Sequence, residues 1–323
     1  MEFQILLNNM TNPVLLFFVL GIVATVLKSD LEIPASISKF ISLYLLFSIG
    51  FKGGQELAHS GFNTEITYSL LFGIALSTVI TLYTFFILKW KLSISDAGAV
   101  AAAYGSVSAV TFVAAVSFLE MQNITAGGHM VAVMALMESP SIIVAVILMM
   151  LFNKKKANSE KTALKSIIYH AFTNGSVLMI TGSLIIGIVA DGKQAEGIKP
   201  FTTDIFKGFL AIFLLEMGMV TARRFTAFVK YGWFATLFSI FIPAINGSLV
   251  AYLSQFLTPD PGNRFLFAIL AASASYIAVP AAMRFAAPKA DPGLYLPMAL
   301  GVTFPFNITI GMPLYFIVVM YFS

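Results

Sequence analysis

The sequence predicts an all-α integral membrane protein of ten transmembrane helices, built as a 5+5 inverted repeat in which helices 4 and 9 are interrupted. Three observations predict it. Of the 323 residues, 59% are hydrophobic and only 11% charged, against about 25% charged in a soluble domain. Ten apolar segments approach the roughly 20 residues that a spanning helix needs. Two pairs of motifs recur at nearly the same spacing, 168 and 167 residues.

The ten segments lie near 12–27, 35–51, 66–88, 97–119, 129–152, 168–190, 204–222, 232–256, 264–284 and 294–321. The second carries Lys39, and the sixth carries His170, Asn174 and Ser176 near its start. The one long polar connection, NKKKANSEKTALKS at 153–166, divides them five and five. This predicts a first repeat at 1–152, a linker at 153–167 and a second repeat at 168–323. With that linker cytoplasmic, thirteen of the nineteen Lys and Arg fall on its side and five on the other, Lys39 lying inside a segment. Basic residues mark the cytoplasmic face, so both termini are expected outside. The first residues, MEFQILLNNMTNPVLLFF, lack a basic run and a small-residue cleavage site, so no cleaved signal peptide is expected.

The repeat pairs LLFSIGFKGGQEL (45–57) with FLLEMGMVTARRF (213–225), matching Gly50 to Gly218. It also pairs GSVSAVTFVAAVSF (105–118) with AASASYIAVPAAMRF (271–285), matching Ser106 to Ser273 and Ser108 to Ser275. A five-helix unit duplicated in tandem must insert the second time upside down, a construction common in secondary transporters.

The polar residues inside segments mark the candidate site. In hydrocarbon an unsatisfied backbone group costs several kcal/mol, so helices break only where protein or water covers the break. Gly105, Ser106 and Ser108 in the fourth segment face Ser273, Ser275, Tyr276 and Pro280 in the ninth. Pro280 lacks an amide donor, and Gly105 loosens the equivalent depth. Half-helix N-termini offer free N–H groups to an anion, while freed carbonyls and hydroxyls suit sodium. Gly105, Ser106, Ser108, Ser273, Ser275 and Tyr276 form the candidate anion site, with Pro280, Pro140 and Pro305 as expected helix breaks. Glu138, just before Pro140 in the fifth segment, is an ionisable group at a depth where such groups are functional by default. The tenth segment places Pro305 and Asn307 at similar depth. Glu138, Asn307 and Thr111 form the candidate sodium site. Glu216 in the seventh segment is a second buried acid, ranked lower because no hydroxyl cluster lies near it in sequence.

Several function classes are disfavoured. The chain has no cysteine, which excludes thiolate metal sites and disulfides. It shows no HExxH, GxSxG, DDxxD or Walker pattern, so an enzyme is not expected, nor an organic cofactor. The net charge of +4 comes with no basic helix face, and nucleic acid is not an expected partner. His59, His129 and His170 fall singly near segment ends.

The runs LEIPASISKFISLYLLFSIGFKGG (31–54), GSVSAVTFVAA, AASASYIAVPAAMRFAAPKADPGLY (271–295) and GVTFPFNITIGMPLYF resemble the sodium-dependent bicarbonate permease family over nearly the whole chain. The resemblance implies a core domain from helices 3–5 and 8–10 and a gate domain from helices 1–2 and 6–7. It implies sodium-coupled symport of bicarbonate in a bacterial plasma membrane, a homotrimer, and inhibition by a cytoplasmic PII-like protein. The family pattern carries an aspartate where this chain has Tyr276, and hydroxyls at Val110 and Ala278. Alternatives are a sodium/organic-anion symporter, a sodium/proton antiporter, or a membrane sensor or scaffold that binds without net flux.

Overall fold

The computed structural model describes residues 12–60, 63–152, 169, 175–228 and 232–323. The linker 153–167 and the start of the sixth segment, with His170 and Asn174, lie outside the described residues. Among the described residues all regular structure is helical. In chain order the helices are α1 (Pro13–Val26), α2 (Ala35–Ser60), α3 (Thr64–Leu88), α4 (Ile94–Gly105), α5 (Ala109–Met121) and α6 (His129–Phe152). The second half holds α7 (Gly175–Val189), the short α8 (Gly192–Glu196), α9 (Phe206–Phe228), α10 (Gly232–Leu253), α11 (Pro261–Ala272) and α12 (Ala278–Ala286). The last helix, α13 (Pro292–Tyr321), contains two π-helical turns, Pro297–Thr303 and Asn307–Gly311.

Among the described residues seven helical stretches are long and apolar enough to cross a membrane, counting α4 and α5 as one. The expected count of ten differs for physical reasons. Helices α1 and α7 are apolar but short, and each begins beside residues that are not described. The expected ninth helix is divided into α11 and α12 by the extended stretch 273–277. Large apolar side chains such as Leu71 and Val79 of α3, Ile185 of α7 and Ile245 of α10 are exposed. That surface suits lipid, and the chain is a multi-pass membrane protein.

Several helices start where the sequence supplies a cap. Asn63 accepts from the Ile66 amide at 2.9 Å to open α3, and Ser93 accepts from Asp96 at 3.1 Å to open α4. Asp260 accepts from Asn263 at 2.8 Å to open α11, with Pro261 in the first helical position. Such caps satisfy amides that lack an intrahelical partner.

Packing separates an inner from an outer group. Helix α4 is buried from Ala97 to Gly105, and α11 from Gly262 to Ala272. Helices apolar on all sides belong in the interior. They are surrounded by α3, α6, α10 and α13. Outside them, α2 packs most extensively on α7, and α1 on α9. Small residues make these outer pairs close, as is common between membrane helices. A Cβ on Gly21 would collide with the Leu215 carbonyl, and one on Gly218 with the Phe18 carbonyl. On the other pair, a Cβ on Gly54 would collide with the Leu184 carbonyl, and one on Gly187 with the Phe51 carbonyl.

Candidate functional site

The first half-helices α4 and α11 are both 12 residues long. Their N-caps, Ser93 and Asp260, and their C-caps, Ser106 and Ser273, stand at the same spacing. Ser106 (φ −86°, ψ −174°) and Ser273 (φ −81°, ψ 165°) leave their helices in the same extended conformation. The chain runs through 106–108 in one case and 273–277 in the other before α5 and α12 begin.

The two breaks are tied to one another. The Ser275 amide donates to the Ala103 carbonyl at 2.8 Å. The Ser108 amide donates to Ser273 Oγ at 3.0 Å, and Ser273 Oγ donates in turn to the Leu270 carbonyl at 3.0 Å. The second tie therefore has a hydroxyl inserted where the first is direct. Ser106, which pairs with Ser273 in the sequence repeat, has a buried Oγ with no partner.

Ser108 and Ser275 also cap the second half-helices. Ser108 Oγ accepts from the Thr111 amide at 3.2 Å, and Ser275 Oγ accepts from the Val279 amide at 3.4 Å. The first turns of α5 and α12 then line one cavity of about 410 Å³. Its wall includes Ser108, Ala109 and Val110 from one break, and Ser275, Tyr276 and Ala278 from the other. Glu138 of α6 lines it too. Two positive helix ends and one carboxylate thus share a small space. The Tyr276 hydroxyl is buried without a hydrogen-bond partner. Val110, Tyr276 and Ala278 all stand in this wall.

Among the predicted residues, Glu138, Ser108, Ser275 and Tyr276 are brought together. Gly105, Ser106, Ser273, Thr111 and Asn307 are not among the lining residues. Asn307 Nδ2 donates to the Ala272 carbonyl at 2.7 Å, and its Oδ1 accepts from the Tyr315 hydroxyl at 3.0 Å. It closes the C-terminal end of α11, as Asn246 does from α10 through a 3.2 Å bond to the Ala271 carbonyl. Gly105 serves close packing, since a Cβ there would collide with Thr81 Oγ1 of α3. Pro280 sits in the first turn of α12, where its missing N–H costs no helical bond. It favours the start of that half-helix, and the interruption lies before it. Pro140 stands inside α6, which continues through it. Pro305 stands between the two π turns of α13.

A larger cavity of about 1820 Å³ adjoins the first and shares Ser42, Ser176, Tyr276 and Ile277 with it. It is lined further by Ser38 and Lys39 at the start of α2 and by Phe213 and Met217 of α9. Glu216 belongs to this neighbourhood. Its Oε2 is buried and unpartnered, and Ser38 and Tyr276 are its electrostatic neighbours. Sequence proximity hid this, because Ser38 and Tyr276 come from other segments. The available signal was the repeat, which matches Glu216 with Ser48, another buried unpartnered side chain.

A helical, multi-pass membrane protein with two interrupted helices meeting over a small cavity that holds a carboxylate of α6 and three hydroxyl-bearing residues of the breaks has the build of a transporter. The chain belongs to the Na+-dependent bicarbonate transporter superfamily, whose family model matches residues 13–320. No curated protein matches it.

Proposed function

We propose that the protein is a secondary active transporter that couples sodium to the uptake of a small anion, bicarbonate, by alternating access of two inverted five-helix repeats. The observation that carries this reading is the convergence of the α5 and α12 N-termini on a cavity that also holds Glu138. The helix ends and the Tyr276 hydroxyl supply donors for an anion. Glu138 supplies the charge for sodium, with Ser108 and Ser275 as neutral oxygens beside it. Thr111 and Asn307 contribute by fixing the breaks from which those oxygens project. Ser273 holds the two breaks against each other, and Gly105 lets its half-helix pack closely on α3.

The inverted repeat is supported by the equal half-helices α4 and α11 and by the matched C-caps Ser106 and Ser273. It is supported again by the outer pairs, each of which joins the first helix of one half to the second helix of the other. The inner group then acts as core and the outer pairs as gate. With the 153–167 linker cytoplasmic, the larger cavity at the starts of α2 and α7 faces the cytoplasm, and the described state is open inward. A homotrimer in the plasma membrane and a PII-like cytoplasmic regulator follow from the family resemblance. Mass in detergent and pull-down with such a regulator check them.

Uptake of labelled bicarbonate into proteoliposomes tests the central reading. Flux is expected with an inward sodium gradient and not with potassium in its place. Equal flux without sodium overturns the coupling. Competition by larger organic anions is expected to be weak, and strong competition favours an organic-anion symporter instead. Sodium addition is expected to leave vesicle pH unchanged when no anion is present, which separates symport from sodium/proton exchange.

A further inference from the structure

The site cavity ends against an apolar layer, and a second chamber lies beyond it. Leu45, Leu46 and Val113 line the site cavity, while Ile49 and Val116, the next residues along the same faces of α2 and α5, line a chamber of about 720 Å³ together with Phe112. Leu45, Ile49, Phe112 and Val113 are all buried. Buried apolar side chains of α2 and α5 therefore stand between the linings of the two spaces.

The wall of this second chamber carries charge. Glu120, in the last turn of α5, sits 3.8 Å from Lys52 Nζ of α2 and 3.0 Å from Lys207 Nζ of α9. These are the two ion pairs among the described residues. Glu56 of α2 lines the same chamber. One carboxylate on an interrupted helix is thus held by lysines on two different outer helices. All three side chains are well exposed, at 35–57%, and exposed pairs of this kind contribute little each. A contact so weak and so placed suits a latch that must open.

We propose that this chamber is the closed far mouth of the transport path, and that Glu120 latches it shut through Lys52 and Lys207. Opening the mouth moves α5 away from α2 and α9, which parts Glu120 from both lysines and parts Leu45 and Ile49 from Phe112 and Val113. The inference rests on the transport reading above, but it predicts a conformational change that is measurable without flux.

The chain has no cysteine, so a single V116C substitution reports access to the chamber. Proteoliposomes carrying V116C are treated with a membrane-impermeant thiol reagent on the face that bears Lys52. Adding E120Q is expected to speed labelling about threefold or more, and high salt to speed labelling of the E120Q-free protein. The fully reversed set, K52E with E120K and K207E, is expected to return the slow rate, which a merely misfolded variant cannot do. Equal labelling with and without E120Q, or no labelling in either, overturns the proposal. Sodium-dependent flux of the unaltered chain is measured beside it. If flux is absent while E120Q still speeds labelling, the transport reading fails and the latch stands.

Discussion

The Ser108 amide donates to Ser273 Oγ at 3.0 Å, joining the breaks of two helices that lie 165 residues apart in the chain. The reciprocal tie, from the Ser275 amide to the Ala103 carbonyl, needs no hydroxyl. Two serines that the repeat makes equivalent are therefore unequal in the fold: Ser273 is a bridge and Ser106 is idle.

This inequality predicts different costs for the same substitution. Ser273→Ala strands the Ser108 amide in a buried place, a loss of about 1–3 kcal/mol. Ser106→Ala removes a hydroxyl that has no partner and is expected to leave stability unchanged. Thermal unfolding in detergent checks both. Equal destabilisation of the two variants contradicts the bridge.

Glu138 is the only carboxylate lining the site cavity among the described residues. A ligand at a hundred times its Kd stabilises the folded state by about 2.7 kcal/mol. Sodium is expected to raise the unfolding temperature of the wild type when bicarbonate is present. Glu138→Gln is expected to abolish that rise and the flux, while the fold survives. A sodium shift retained by Glu138→Gln removes this residue from the sodium site.

Tyr276→Phe separates binding from stability. The phenol oxygen is buried and unpartnered, so removing it is expected to leave the melting temperature level or higher. If that oxygen is a donor to the anion, the apparent KM for bicarbonate rises several-fold while the protein remains as stable as before. An unchanged KM takes Tyr276 out of the anion site.

Gly105→Ala tests the packing role of that glycine. The added methyl runs into Thr81 Oγ1 and the Ser77 carbonyl, and overpacking of this kind costs about 1–3 kcal/mol. Pairing it with Thr81→Ala is expected to recover part of the loss, because one of the two colliding groups is gone. Full stability in the single variant contradicts the close approach of α3 and α4.

Asn307→Leu leaves the Ala272 carbonyl without its side-chain partner inside the membrane. A loss of about 1–3 kcal/mol is expected, with a matching fall in flux because the C-terminal end of α11 carries the second break. Retained stability with lost sodium response gives the opposite result, and places Asn307 at the ion.

What the sequence made legible follows the repeat. The small, hydroxyl-rich stretch 105–108 and its partner 272–275 stood out because polar residues are conspicuous in an apolar chain, and the breaks fall there. The position of the ninth break was harder. Pro280 drew attention, yet it stands in the first turn of α12, since proline suits helix starts as well as interruptions. The partners of Glu216 and the carbonyl caps from Asn246 and Asn307 were not legible, because each joins segments that meet only in three dimensions. The count of spans was blurred at α1 and α7, which are short by apolar length alone.

The outer glycine contacts also bear on how the chain is made. Thr25 of α1 donates to the Met219 carbonyl of α9 across 194 residues, and Gln55 of α2 reaches the carbonyls of α7 across 132. The first two helices to enter the bilayer therefore wait, with their glycine faces uncovered, until more than half the protein has been synthesised. The residues before the linker cannot complete these contacts on their own. Maturation is a closing of two strands of the same clasp, and a ribosome stalled in the linker should leave a species that quality-control proteases treat as incomplete.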